Sequence, residues 1–141
     1  MAIKVDVLPE RGLVVVTYWG CMTVDEGLDA FRKFVEQGHA KTTPRHLIDL
    51  SRIESFVNPF PNMLRLNADM AAAFLPNEGQ TYMAFVAPHP EAQRAASFSI
   101  RAWEDHLDRV IPRIFTLQSE ALSFLGVQEE ALADLARQRP A

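Results

Sequence analysis

Tyr82-Met83-Ala84-Phe85-Val86-Ala87 contains no charged side chain, and its one polar group is a phenol hydroxyl. A half-buried strand alternates apolar and polar residues. A parallel strand covered on both faces reads instead as an almost unbroken apolar run, and this stretch is of that kind. Its neighbours should then be helices and further strands. Downstream, Pro90 opens a helix with Ala92, Ala96, Ile100, Trp103 and Leu107 on its inner side. Arg113 to Leu117 is a short final strand, and Ser119 starts a helical tail through about Gln138, broken near Gly126. Upstream, Asn58-Pro59 is a helix start with Pro at the first position. Met63, Leu66, Met70 and Phe74 form one stripe, ended by Pro76 and Gly79. His46-Leu47-Ile48-Asp49-Leu50 is the preceding strand.

The N-terminal part has a different rhythm. Ile3, Val5 and Val7 alternate with Lys4 and Asp6, the period-2 pattern of a half-buried strand. Pro9-Glu10-Arg11-Gly12 is turn chemistry, and the β-branched and aromatic run Leu13 to Trp19 pairs back as a hairpin. Thr23 with Glu26 has the form of a capping box. Val24, Leu28, Phe31 and Val35 follow at helical spacing, and Gly38 supplies the stop. The order is ββαβαβαβα. It predicts an α/β fold: an antiparallel start, then a mainly parallel sheet packed by helices with right-handed crossovers. Residues 1–141 are read as one domain with the last few residues frayed.

Composition narrows the function classes. Lys+Arg number 14 against 18 Asp+Glu, so the chain carries −4 with His neutral. No basic block is present, which argues against nucleic acid as the main ligand. The longest charge-free apolar stretch, Gly12 to Val24, falls short of the about 20 residues a membrane-spanning helix needs. Cys21 is the only cysteine, so an internal disulfide is impossible. With no signal-peptide pattern at the start, a cytoplasmic protein is expected.

Ligands of open α/β sheets bind beyond the carboxyl ends of the strands, which directs attention to Asp49, Ser51, Arg52, Glu54 and Ser55 after one strand and to Pro88 and His89 after another. Asp49, Ser51 and His89 suggest a hydrolase triad, but Ser51 lacks the Gly-x-Ser-x-Gly elbow that exposes such a nucleophile. The plainer expectation is that Asp49 and Ser51 cap backbone amides in a turn. His39, His46, His89 and His106 are dispersed without metal-ligand spacing, and neither a P-loop nor a Gly-x-Gly-x-x-Gly turn occurs, so no metal and no cofactor are expected. Glu104 and Asp105 near Arg101, Asp108 and Arg109 read as a solvated helix face with the pair Asp105–Arg109. Met63, Met70, Met83 and Trp103 read as core, and nothing near Cys21 suggests an activated thiolate. The most informative stretch is Ser55-Phe56-Val57-Asn58-Pro59-Phe60-Pro61. It places two phenyl rings in what reads as a loop, as the lip of an interface or folded back onto the core.

Three stretches in order resemble the STAS superfamily, specifically its SpoIIAA-like branch. They are Gly12-Leu13-Val14-Val15-Val16-Thr17-Tyr18-Trp19-Gly20 with Thr23-Val24-Asp25-Glu26, then Leu47-Ile48-Asp49-Leu50-Ser51-Arg52-Ile53, then Arg113-Ile114-Phe115-Thr116 with Glu120-Ala121-Leu122-Ser123-Phe124-Leu125. The resemblance spans nearly the whole chain and implies helices on a small, mostly parallel sheet. In regulatory members the Asp-Leu-Ser strand end leads into Asp-Ser-Ser-Gly, and a kinase that is also the anti-sigma partner phosphorylates the second Ser. Here Glu54-Ser55 stands for Asp-Ser, Phe56 holds the acceptor position and Val57 replaces the Gly. A phenyl ring accepts no phosphoryl group, so only the framework is carried over.

The expectation is a non-catalytic regulatory module without the usual phosphoacceptor serine. It would bind a protein partner through Ser51, Glu54, Ser55, Phe56, Asn58, Phe60 and His89. The alternative is a carrier or sensor of a small apolar, lipid-like ligand, since the branch also resembles lipid-carrying CRAL-TRIO folds. A homodimer is expected from the opening hairpin or the aromatic stretch, because symmetric pairs are the commonest oligomers.

Overall fold

A computed structural model of the chain describes residues 3–37, 44–57, 79–101, 103–104, 107–130 and 132–133. The chain opens with β1 (Ile3–Leu8) and β2 (Leu13–Thr23), paired antiparallel from Ile3↔Tyr18 to Leu8↔Leu13. A single 3-10 turn, Pro9–Arg11, joins them. It closes on Gly12, whose φ of 61° is left-handed and whose N–H donates to the Pro9 carbonyl at 3.1 Å. A side chain at Gly12 would be strained there, and its Cβ would come within 3.3 Å of Pro44.

β3 (Arg45–Val57), β4 (Thr81–Val86) and β5 (Val110–Phe115) continue the sheet, all parallel to β2, in the order β1-β2-β3-β4-β5. The helices are α1 (Val24–Glu36), α2 (Pro90–Arg101) and α3 (Gln118–Leu125). Sequential parallel strands joined by crossovers of one hand send every crossover helix to the same face. Phe34 of α1 and Ala92, Ala95 and Ala96 of α2 accordingly share one core with Val14, Leu50, Met83 and Phe85 of the sheet. The alanines let α2 approach the strands closely. Trp103, fully buried just beyond α2, fills the same layer. α3 follows the last strand and returns to the other face, where Ala121, Leu122 and Leu125 pack on Leu13, Val15, Leu47, Ala84 and Val86.

The ends of the elements are held as their sequences direct. The Thr23 Oγ1 accepts from the Glu26 N–H at 3.3 Å, while its hydroxyl donates to Glu26 Oε1 at 3.2 Å, so Thr23 and Glu26 do form the start of α1. α3 stops at Gly126, φ 68°, with its N–H donating to the Leu122 and Ser123 carbonyls. Arg45 at the start of β3 donates from its guanidinium to the carbonyls of Arg11, Leu125 and Gly126, tying the hairpin turn to the C-terminal end of α3.

The α/β architecture with an antiparallel start agrees with the sequence reading. Three details differ. β5 begins at Val110 and ends at Phe115, not at 113–117, because Pro112 is accommodated in an edge strand, where a missing N–H is tolerated. α2 ends at Arg101, so Leu107 is exposed rather than on its inner side. β3 runs to Val57 instead of stopping at Leu50. The helix expected from Asn58 with its stripe Met63, Leu66, Met70 and Phe74 lies outside the described residues, as do Asp105 of the expected pair with Arg109, His39, His106 and the side chains of Val24, Leu28, Phe31 and Val35.

Candidate functional site where β3 outlasts β4

Pairing between β3 and β4 ends at Asp49↔Val86. Beyond that point, among the described residues, β3 continues with β2 alone, and the register slips twice. Thr17↔Asp49 is followed by Trp19↔Arg52, and Gly20↔Ile53 by Cys21↔Ser55, so each slip places one extra residue on β3. These are β-bulges, which bend a strand and re-aim its side chains. The first has a visible cause. Asp49 Oδ1 accepts from the Ser51 N–H at 2.9 Å and from the Ser51 hydroxyl at 2.6 Å, a local turn that withdraws Ser51 from regular pairing.

The bulges keep Leu50, Ile53 and Phe56, spaced by three, on one face, all buried in the α2-side core. Phe56 is only 5% exposed, its ring 5.2 Å from that of Phe98. The edge of β3 left bare by β4 is closed by α2. Glu91 Oε2 accepts from the Phe56 N–H at 3.3 Å, and Arg94 Nη2 donates to the Phe56 carbonyl at 2.7 Å. The two side chains are themselves paired at 3.0 Å, and the guanidinium carbon stands 5.3 Å from the centre of the Phe56 ring. An ion pair thus supplies both backbone bonds that a neighbouring strand would have given. The hydrogen bond from Arg94 holds the Glu91 carboxyl below the usual carboxylate range. Partial desolvation opposes this, and the Arg94 charge and the Phe56 N–H reinforce it.

His89 joins the same end of the sheet. Its Nδ1 accepts from the Ala92 N–H at 3.3 Å, capping α2, which leaves Nε2 to donate to the Ser51 carbonyl at 3.3 Å. Ser51 and His89 therefore meet, but through the serine backbone. The carboxylate of Asp49 holds the serine hydroxyl, and both nitrogens of the histidine are engaged elsewhere. The order of contacts is not that of a hydrolase triad, in which the histidine takes the serine proton and the acid orients the histidine.

Of the residues expected at the site, Ser51, Ser55 and His89 are half-buried and Glu54 is exposed. Asn58 and Phe60 lie outside the described residues. Phe56 corrects the loop reading: it is a strand residue in the core, because the bulges turn it inward and α2 covers it. Sequence reasoning misses Glu91 and Arg94. Their i,i+3 spacing is visible, but the backbone they grip is not. It also misses Trp19, which stands opposite Arg52 and is 38% exposed. Together with Glu54 and Val57, the latter 50% exposed, these side chains give the overhang a surface of mixed apolar and charged character. Among the described residues no group of three or more His, Cys, Asp or Glu is placed to hold a metal ion, and no helix is long and apolar enough to cross a membrane.

No protein-family model and no curated protein sequence matches the chain. Solved structures do. The anti-sigma factor antagonist SpoIIAA in its unphosphorylated form aligns over 98% of this chain and 100% of its own, at 14% identity and a TM-score of 0.48. A candidate anti-sigma factor antagonist from Thermotoga maritima aligns over 88% of this chain and 94% of its own, at 17% identity and a TM-score of 0.50. The class defined by strand order and helix placement is an α/β domain whose described crossover helices, α1 and α2, share one face. Within that class the fold is SpoIIAA-like.

Proposed function

We propose that this chain is a non-catalytic regulatory module that binds another protein, built on a SpoIIAA-like frame without the serine switch. The observation that carries the reading is Phe56. It occupies the position that the sequence resemblance assigns to the phosphoacceptor, and it is a buried strand residue with both backbone groups held by Glu91 and Arg94. A kinase needs an accessible hydroxyl, and this position offers neither hydroxyl nor access. Regulation of this module therefore acts by binding, not by phosphoryl transfer at residue 56. The partner surface is the overhang of β2 and β3, with Trp19, Arg52, Glu54 and Val57 outermost. Apolar and charged side chains side by side, at the strand ends where α/β sheets place their binding residues, suit a protein partner. The name of the Thermotoga protein suggests the class: a protein of the anti-sigma factor type. The module is read as cytoplasmic, where its exposed thiol, Cys21, stays reduced.

Native mass spectrometry of the purified chain, compared with its denatured mass, tests this reading. The expected result is a native mass that is a whole multiple of the unmodified chain mass, with no added phosphate and no further compound released on denaturation. An apolar compound released on denaturation would overturn it in favour of a carrier. Phosphate on Ser51 or Ser55 would overturn the statement that the switch is absent.

A further inference from the structure

The sheet has two outer strands, β1 and β5, and they are not alike. An outer strand presents unpaired N–H and C=O groups and invites pairing with another chain unless something blocks it. β5 is blocked. Pro112 removes one donor from its middle, and the exposed Arg113 follows. β1, Ile3-Lys4-Val5-Asp6-Val7-Leu8, has no proline, and all six residues are paired with β2 in unbroken register. Among the described residues nothing pairs with its other edge.

The side chains of β1 are complementary to themselves. Val5 and Val7 pack toward the core shared by α1 and α2, so alternation puts Lys4 and Asp6 on the opposite face, where they lie 3.9 Å apart. A second copy of β1 running antiparallel across a two-fold axis at Val5 sets Lys4 opposite the second copy's Asp6, and Asp6 opposite the second copy's Lys4. The same register sets Ile3 opposite the second copy's Val7. Four charges then alternate in sign around a square on one face, while the valines and isoleucines extend one continuous apolar strip on the other. A register shifted by two residues sets Asp6 opposite the second copy's Asp6, or, in the other direction, Lys4 opposite the second copy's Lys4. Like charges then face each other, so the charges select a single alignment.

We propose that β1 is the interface of a two-fold homodimer in which the two sheets join edge to edge, with Lys4 and Asp6 setting the register. The interface is isologous, as a two-fold axis requires. It is separate from the overhang of β2 and β3, so the proposal stands or falls independently of the partner-binding reading.

Charge reversal tests it on the full-length chain by sedimentation across the micromolar range, with far-UV circular dichroism to confirm folding. Wild type should sediment at twice 15.9 kDa. Lys4→Asp places like charges opposite each other in both symmetric pairs, and Asp6→Lys does the same with the opposite sign. Each variant alone should dimerise at least about tenfold more weakly. An equimolar mixture of the two should recover the dimer, because every opposing pair is then of opposite sign. A monomeric wild type overturns the proposal. So does a wild-type dimer that neither variant weakens, or a mixture that recovers nothing. Should a variant fail to fold, amide exchange of the wild type decides: β1 amides should slow as concentration rises, and exchange independent of concentration overturns the interface.

Discussion

Phe56 is the residue on which most of the structure of the site depends. Its ring fills the layer under α2, and its N–H and C=O are the two groups that Glu91 and Arg94 hold. Phe56→Ala should cost about 3–5 kcal/mol in urea unfolding, the range for a buried aromatic truncated to Ala. Phe56→Ser should cost no less, so restoring the hydroxyl does not restore a switch. Glu91 adds a dependence on pH. Its carboxyl titrates lower in the folded protein than in the unfolded chain, chiefly through the hydrogen bond from Arg94. The unfolded state therefore binds its proton first as pH falls. The stabilisation is complete above the ordinary carboxylate range and disappears as pH drops through the depressed value. Glu91→Gln keeps the acceptor for the Phe56 N–H but removes the charge. Its melting temperature should fall less steeply than that of wild type between about pH 5 and pH 3; equal slopes would show that the pair with Arg94 contributes nothing to acid stability.

At the scale of elements, legibility tracks periodicity. The run from Tyr82 to Ala87 matches β4 to within a residue, because a doubly covered parallel strand has no polar alternation to obscure it. The Thr23–Glu26 cap and the stop at Gly126 are equally readable, since capping is local chemistry. β3 reads short because its second half does not alternate. Leu50, Ile53 and Phe56 face one core at a spacing of three, which a two-residue period cannot represent. The reason is the pair of bulges, each adding one residue per step. Ser51 and His89 are both recognisable as residues at strand ends, but their contact runs through a backbone carbonyl, which carries no sequence signature. Asp49 is the side chain that sets the first bulge. Asp49→Ala should lower stability by about 1–2 kcal/mol by leaving the half-buried Ser51 N–H without its acceptor. Faster amide exchange at Ser51 than in wild type would accompany it, and unchanged exchange would locate the cause of the bulge elsewhere.

At the scale of the whole molecule, strand order decides where things can happen. Crossovers of one hand collect α1 and α2 on one face, and α3 takes the other, so the sheet faces are used for the core. Among the described residues, what remains available is the edge at β1 and the overhang where β2 and β3 run on without β4. The overhang is the surface assigned to the partner, and its exposed residues can be changed without touching the core. Affinity capture with wild type should retain a protein partner that captures this chain in return. Glu54→Arg combined with Val57→Asp, both exposed, should lose that partner while circular dichroism and melting temperature stay those of wild type. Retention of the partner by this double variant at wild-type level would contradict the assignment of the overhang as the binding surface.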